Sequence, residues 1–402
     1  MAQPTFERLG FAFAVNPWSR GYGISMGGGF VVGVVGGIEA GHIRAFCWSR
    51  AGGMALLAVP QEPPLDFAMG ISDDGAVAVG SSVPLPVVWV NGKPTVLPTI
   101  PNAPLPDGGA TDLSEDGRTI VGVVWPTRSS SVAVRWRNGK LEDLSILPGD
   151  ATAITAMAIG EDGDPPTIVG AGQSSGVRAV RIANGWVHDL GDIPGAGRGV
   201  EQDASDISDD GWRIVGRGSS ATSAYGEAYL WSAPTGMVGL GTIPALVRLS
   251  SSRAISGDGR VVGGLTGADQ LYVYRGFIWD PVRGMRHLDA VLDAHGVDRR
   301  GWSIEEVNAI SRDGTAMTGT ALNAARTRGE AFLVTLPPWC WADCTGDDMV
   351  DFDDLLCFLN RFERAQDPRA NPIDFFYCDL APDDEIDFND FLAFLNLYNK
   401  GC

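Results

Sequence analysis

Histidine is scarce in this chain: four occur in 402 residues, at His42, His188, His287 and His295. None falls at His-Glu-x-x-His or another metal-binding spacing, so a histidine-ligated catalytic metal is not expected. A P-loop and a dinucleotide-binding glycine fingerprint are also missing, which excludes the common phosphate cradles. No run of 18 apolar residues occurs, so no membrane-spanning helix is expected. Positive charge is in short supply, with 30 Lys and Arg against 49 Asp and Glu and a net charge of −19. That balance argues against nucleic acid and anionic membrane as partners. The N-terminal residues lack a basic stretch followed by an apolar one, so either the protein is cytosolic or a secretion leader has been removed.

Turn-forming residues are abundant: 53 Gly and 25 Pro accompany only 20 % charged residues, which suits a turn-rich all-β protein. The stretch Ala204–Gly216, Ala-Ser-Asp-Ile-Ser-Asp-Asp-Gly-Trp-Arg-Ile-Val-Gly, reads as a hairpin with a tight Asp-Gly turn. The same hairpin recurs. Aligned on the glycine that ends it, the copies fall at Gly33, Gly80, Gly122, Gly170, Gly216, Gly263 and Gly319. A Trp strand follows most hairpins (Trp48, Trp89, Trp136, Trp231, Trp279), and then a closing strand near a Leu. Four strands in a unit of 40 to 50 residues are the signature of a propeller blade. The seventh copy lacks its fourth strand after Leu336, while residues 5–10 look like a closing strand without a hairpin before it. The expected fold is therefore an all-β, seven-bladed β-propeller over residues 1–337, closed by the N-terminal strand. An insertion beginning at Leu288 has apolar residues at helical spacing and predicts one short helix between blades six and seven.

The recurring Ala-x-x-Ile-Ser-x-Asp-Gly and Gly-Met-x-x-Leu patterns resemble the extracellular HAF-type repeat family. The resemblance implies a secreted, propeller-like protein and no particular activity.

Composition changes sharply near residue 338. Residues 338–402 carry 15 Asp and Glu against 4 Lys and Arg, and hold five of the six cysteines: Cys340, Cys344, Cys357, Cys378 and Cys402. Cysteines this dense suggest disulfides and an oxidising compartment, hence an exported protein, although six cysteines leave fifteen possible pairings open. Asp343–Asp354 has the pattern of a twelve-residue calcium loop with oxygen donors at positions 1, 3, 5, 7, 9 and 12: Asp343, Thr345, Asp347, Met349 through its carbonyl, Asp351 and Asp354. The pattern returns at Asp379–Asp390 with Asp379, Asp383, Glu385 through its carbonyl, Asp387 and Asp390. Each loop precedes an apolar helix. This duplicated loop-helix unit resembles a type I dockerin, in the cysteine-rich form ending Gly401-Cys402. The resemblance implies a small all-α calcium-binding domain over 338–402 that docks a cohesin-like or cell-envelope protein. Two departures stand out: position six is Asp348 and Asp384 instead of glycine, and position three of the second loop is Ala381, which has no side-chain oxygen. One calcium ion is expected in the first loop and a weaker one in the second. Positions ten and eleven, Phe352-Asp353 and Phe388-Asn389, are not the usual hydroxyl pair, which departs from a standard cohesin partner.

The Ser-x-Asp-Gly turns resemble sialidase Asp-boxes but recur on every blade, where a catalytic group should be singular. The repeated Trp residues read as inter-blade packing. Non-repeating residues are better candidates for a binding face: Trp18, Arg20 and Tyr22, then Trp125 and Arg128, then Asp298, Arg299, Arg300 and Trp302. The expected function is non-enzymatic, with a monomeric propeller recognising a protein or glycan and the tail anchoring or sorting it outside the cell. The alternative is a polysaccharide hydrolase or lyase using a carboxylate pair on propeller loops.

Overall fold

Seven four-stranded antiparallel sheets account for every strand of the propeller. The computed structural model describes residues 3–401 apart from 14, 38–42, 61–64, 175, 196–200, 222, 224, 244–247 and 268–272, and the side chain of residue 153. Cys402 lies outside the described residues. The innermost strands are Trp18–Ile24, Asp66–Ile71, Asp107–Leu113, Thr152–Ile159, Asp203–Ile207, Ser250–Ile255 and Ser303–Ile310, one per blade. The last sheet is completed by Thr5–Arg8, which pairs antiparallel to Gly329–Thr335 with Phe6 opposite Val334. The ring is thus closed by the N-terminal strand, which covers the outer edge of Gly329–Thr335.

Each innermost strand carries a β-bulge, set between Gly21 and Gly23, Ala68 and Gly70, Ala110 and Asp112, Ala156 and Ala158, Ala204 and Asp206, Ser252 and Ala254, and Val307 and Ala309. The bulge drives a backbone carbonyl into the second strand, and this is why a glycine recurs there. A Cβ on Gly33 would sit 1.9 Å from the Arg20 carbonyl oxygen, and one on Gly170 would sit 1.8 Å from that of Thr155. In blade six the equivalent residue is Gly264, whose Cβ would meet the Ser251 carbonyl at 2.0 Å. The repeat alignment at Gly263 is therefore one residue early. Val262-Gly263-Gly264 offers two adjacent glycines, and only the strand register separates them.

The turns are held by their serines. Ser72, Ser114, Ser208, Ser256 and Ser311 each donate a hydroxyl to the aspartate two residues on, at 2.5 to 2.8 Å. Each also accepts a backbone N–H five residues on, near 3.0 Å. Blade four has Gly160 in that place, and Thr167 bonds Asp162 instead. The turns are structural, as their repetition implied. The Trp strands pack between blades: Trp89 donates to the Ala58 carbonyl at 2.8 Å and Trp136 to the Pro98 carbonyl at 2.7 Å. The inserted helix α1 spans Leu288–Ala294 and buries Leu288 and Leu292 against Ile278, Ile304 and Phe332, covering the junction of blades six and seven.

After Leu336 the chain forms three helices, α2 (Phe352–Ala365), α3 (Pro372–Cys378) and α4 (Phe388–Lys400). The helix α3, absent from the sequence reading, explains how the tail sits. Phe375 and Phe376 are buried in one cluster with Val215, Leu230, Phe277 and Trp279 of blades five and six. The second, internal core stacks Phe358 of α2 on Phe394 of α4 at 3.9 Å between ring centres. A disulfide joins Cys344 to Cys357, Cys340 is also disulfide-bonded, and Cys47 and Cys378 are free thiols.

Candidate functional site

Two places concentrate chemistry: the propeller axis and the seam between propeller and tail. On the axis, the bulges point Tyr22, Met69, Thr111, Met157, Ser205, Arg253 and Asn308 at a central channel of about 170 Å³. At the turn end, the residue between Ser and Asp of each turn faces the axis. These positions supply Asp73, Glu115, Glu161 and Asp209, and blade seven supplies Arg312. Arg312 reaches all four: Nε lies 3.0 Å from Glu115 and 3.9 Å from Asp73, Nη2 lies 2.8 Å from Glu161, and Nη1 bonds Asp209. One guanidinium from the seventh blade thus ties together blades two to five.

Two further carboxylates, Asp112 and Asp206, line the channel beside the bulges. Asp112 accepts the Ile159 N–H at 3.0 Å and Asp206 accepts that of Ile255 at 2.8 Å, each from the next blade. Their open edge faces only the channel, and burial pushes Asp112 up to about 6. Burial, with the Asp112 charge behind it, pushes Asp206 up to about 8. In the ring, burial raises Glu161 to about 7 and Asp209 to about 6, with Arg312 opposing both shifts. Sequence reading missed this set because it dismissed the turns as uniform. The signal was the turn position just before the aspartate, where charge varies from blade to blade: Met26, Asp73, Glu115, Glu161, Asp209, Gly257, Arg312.

The candidate binding residues divide. Tyr22 lines the channel. Trp18, Trp125, Arg128 and Asp298–Arg300 lie where innermost strands begin or second strands end, on the face opposite the Arg312 turns. There Trp125 is 41 % exposed, whereas Trp302 is buried beneath Arg8, whose guanidinium lies 4.8 Å from its ring. Arg299 is held by Asp289 and Asp293 and belongs to the scaffold. A Gly-x-Ser-x-Gly string does occur at Gly23–Gly27, but Ser25 is fully buried and its Oγ accepts the Phe30 N–H at 2.9 Å. It is a blade turn, not a nucleophile elbow.

The two tail loops share a local geometry. Position six has positive φ in both, +68° at Asp348 and +60° at Asp384, where glycine is normal. Asp351 and Asp354 form a capping box on α2, and Asp387 and Asp390 form one on α4. In the first loop Asp343 accepts the Gly346 and Asp347 N–H groups, Thr345 Oγ1 donates to Asp354 at 3.0 Å, and Asp347 accepts the Met349 N–H. In the second, Asp383 accepts the Glu385 N–H at 3.1 Å and Asp390 accepts those of Leu380 and Ala381 at 2.8 Å. As they stand, no three His, Cys, Asp or Glu side chains among the described residues converge as a metal site. The first loop carries an oxygen at each of the six donor positions expected of a calcium loop. The second lacks an oxygen at Ala381, and its first-position carboxylate is already committed: Arg213 Nη2 donates to Asp379 Oδ2 at 3.0 Å, with both side chains 1 % exposed.

No protein-family model matches the chain, and no curated protein matches it. Solved structures do. An oligogalacturonate lyase from Vibrio parahaemolyticus is 10 % identical with a TM-score of 0.53, over 84 % of this chain and 98 % of that one. An oligogalacturonate lyase in complex with manganese is 11 % identical with a TM-score of 0.50, over 83 % and 91 %. A putative TolB from Agrobacterium tumefaciens is 12 % identical with a TM-score of 0.46, over 81 % and 100 %. At such identities the likeness concerns the fold alone, and the chain is a seven-bladed β-propeller carrying a small helical tail.

Proposed function

We propose that the protein is an extracellular, non-enzymatic binding protein whose tail attaches the propeller to a larger assembly. The observation that carries this reading is a duplicated apolar strip on the tail. Phe352, Leu356 and Leu359 on α2 and Phe388 and Leu392 on α4 are 42 to 66 % exposed, with Phe352 and Leu356 in α2 matched by Phe388 and Leu392 in α4. Large apolar side chains left in water on both copies of a repeat support a protein-docking surface. The resemblance of the loop-helix pair to type I dockerins supports a cohesin-like or envelope protein as the partner, with calcium in the first loop stiffening α2. Disulfide bonds at Cys340, Cys344 and Cys357 support an oxidising compartment. The open propeller face, with Trp18, Trp125, Arg20 and Arg128, is the place for a glycan or protein ligand, and the HAF-like turns fit a secreted scaffold.

The test uses the full chain as bait against envelope and secreted fractions, with calcium and with chelator. A partner retained with calcium and lost by Phe352→Asp/Phe388→Asp is the expected result. Equal capture by the double variant would remove the strip from the account.

One observation favours an enzyme: Asp112 and Asp206 share the channel with shifts that would leave one ionised and one protonated near pH 7. Against it, both already accept backbone N–H groups, and about 170 Å³ is below the roughly 300–1,000 Å³ of ligand pockets. Release of unsaturated or reducing ends from acidic polysaccharide, abolished by Asp206→Asn, would establish the hydrolase or lyase reading.

A further inference from the structure

In the first loop, the position-six departure from a standard calcium loop points at the propeller. Position six, where glycine would accommodate the positive φ, is aspartate twice. Asp348 meets Arg283 at 3.0 Å, and the same guanidinium donates to the position-one Asp343 at 2.8 Å. Asp384 has both carboxylate oxygens buried without a hydrogen bond. Position one of the second loop is held more completely. Arg213 bonds the Asp379 carboxylate, and Arg260 Nη2 donates to the Asp379 carbonyl at 2.5 Å. Aromatic rings of the tail cover the two guanidiniums, Phe376 at 5.7 Å from Arg213 and Trp341 at 5.5 Å from Arg260.

We infer that the propeller arginines form a latch on the tail, and that Arg213 and Arg260 hold the second loop in the place calcium would otherwise serve. Two cations buried at Asp379 supply the charge that a divalent ion would bring, and they repel such an ion from the same carboxylate. With Ala381 offering no oxygen, the second loop has both a weaker donor set and a prior occupant. The first loop differs: Arg283 is 25 % exposed and keeps Asp348 as a partner if Asp343 turns to a metal. Asp348 is then a docking residue, placed where glycine would suit the backbone better. Calcium governs α2 at most, and α3 stays on blades five and six whether or not calcium is present. This goes beyond the anchoring role, because it assigns the loops a partner within the chain.

Two measurements on the full chain test it. Calorimetric calcium titration is expected to count no more than one site, and two sites of comparable affinity would overturn the latch. A count of zero removes calcium from the first loop and still supports the latch, so the two readings fail separately. The second measurement is cleavage of the 336–341 linker by chymotrypsin, which needs no metal, in chelator at Trp339 or Trp341, followed by mass spectrometry. Asp348→Gly supplies the residue that positive φ favours and removes the Arg283 contact, so a folding defect is not expected. Linker cleavage at least about fivefold faster than in the parent is expected, as the docked state loses this charge contact. Cleavage no faster than in the parent would overturn the proposal. Asp379→Asn, which leaves the propeller untouched, is expected to act in the same direction.

Discussion

At the residue scale, Arg312 is the most consequential side chain of the propeller. Removing it leaves Asp73, Glu115, Glu161 and Asp209 facing one another. Arg312→Ala is expected to cost about 2–5 kcal/mol at pH 8, toward the lower end because the ring is partly open to water. Thermal unfolding should show a smaller loss at pH 5, where protonation relieves the repulsion. Asp206 supplies a second test. Its carboxyl moves from an ordinary 3.8 to about 8 on folding, so the folded protein holds a proton that the unfolded chain releases above pH 4. The stability this contributes is present at low pH and is lost as pH rises toward 8, with Asp112, Glu161 and Asp209 acting in the same sense at lower pH. Asp206→Asn should shrink the fall in melting temperature between pH 7 and 8. It should also cost about 1–3 kcal/mol at pH 5, because one backbone N–H loses its acceptor. Neither residue announced itself in the sequence. Asp73, Glu115 and Arg312 sit inside a turn motif whose fixed letters drew attention, while the chemistry lies in the letter that varies.

Among the elements, the bulged innermost strand sets what the chain tolerates. Gly170→Ala puts a Cβ 1.8 Å from a backbone carbonyl that the bulge fixes in place, so the blade must distort. A loss above about 3 kcal/mol is expected, against about 1 kcal/mol for Gly139→Ala, which has positive φ but open space around it. Denaturant unfolding of the two variants separates steric need from conformational need. Sequence reading found the hairpins, the closing strand and α1, because each rests on local spacing. It missed the slip at Gly264, because two adjacent glycines are equivalent until strands pair. It also missed α3, because Asn371-Pro-Ile-Asp-Phe-Phe-Tyr-Cys378 is too short to show a helical period and takes its place from the propeller surface.

At the scale of the whole molecule, the strand Thr5–Arg8 and the tail act at opposite ends of the chain on the same ring. Deleting residues 3–10 would strip the outermost strand of blade seven and leave the outer edge of Gly329–Thr335 unpaired. Such a variant is expected to associate through that edge, visible as a shift to higher mass on size exclusion. The loop-helix pattern alone would suit a tail tethered as a separate module. Here the tail buries Phe375 and Phe376 in the core of blades five and six and joins Arg213 to Asp379 out of water. Nothing in the composition shift at residue 338 could reveal this, since contacts between residues 166 positions apart leave no local pattern.

If the propeller arginines hold the tail and propeller as one body, hydrogen exchange at α3 measures it directly. In the full chain with chelator present, the amides of Phe375–Cys378 are expected to exchange as slowly as those of the innermost strands. Rapid exchange at α3, with the blades still protected, would mean that the tail is free of the propeller and would contradict the account.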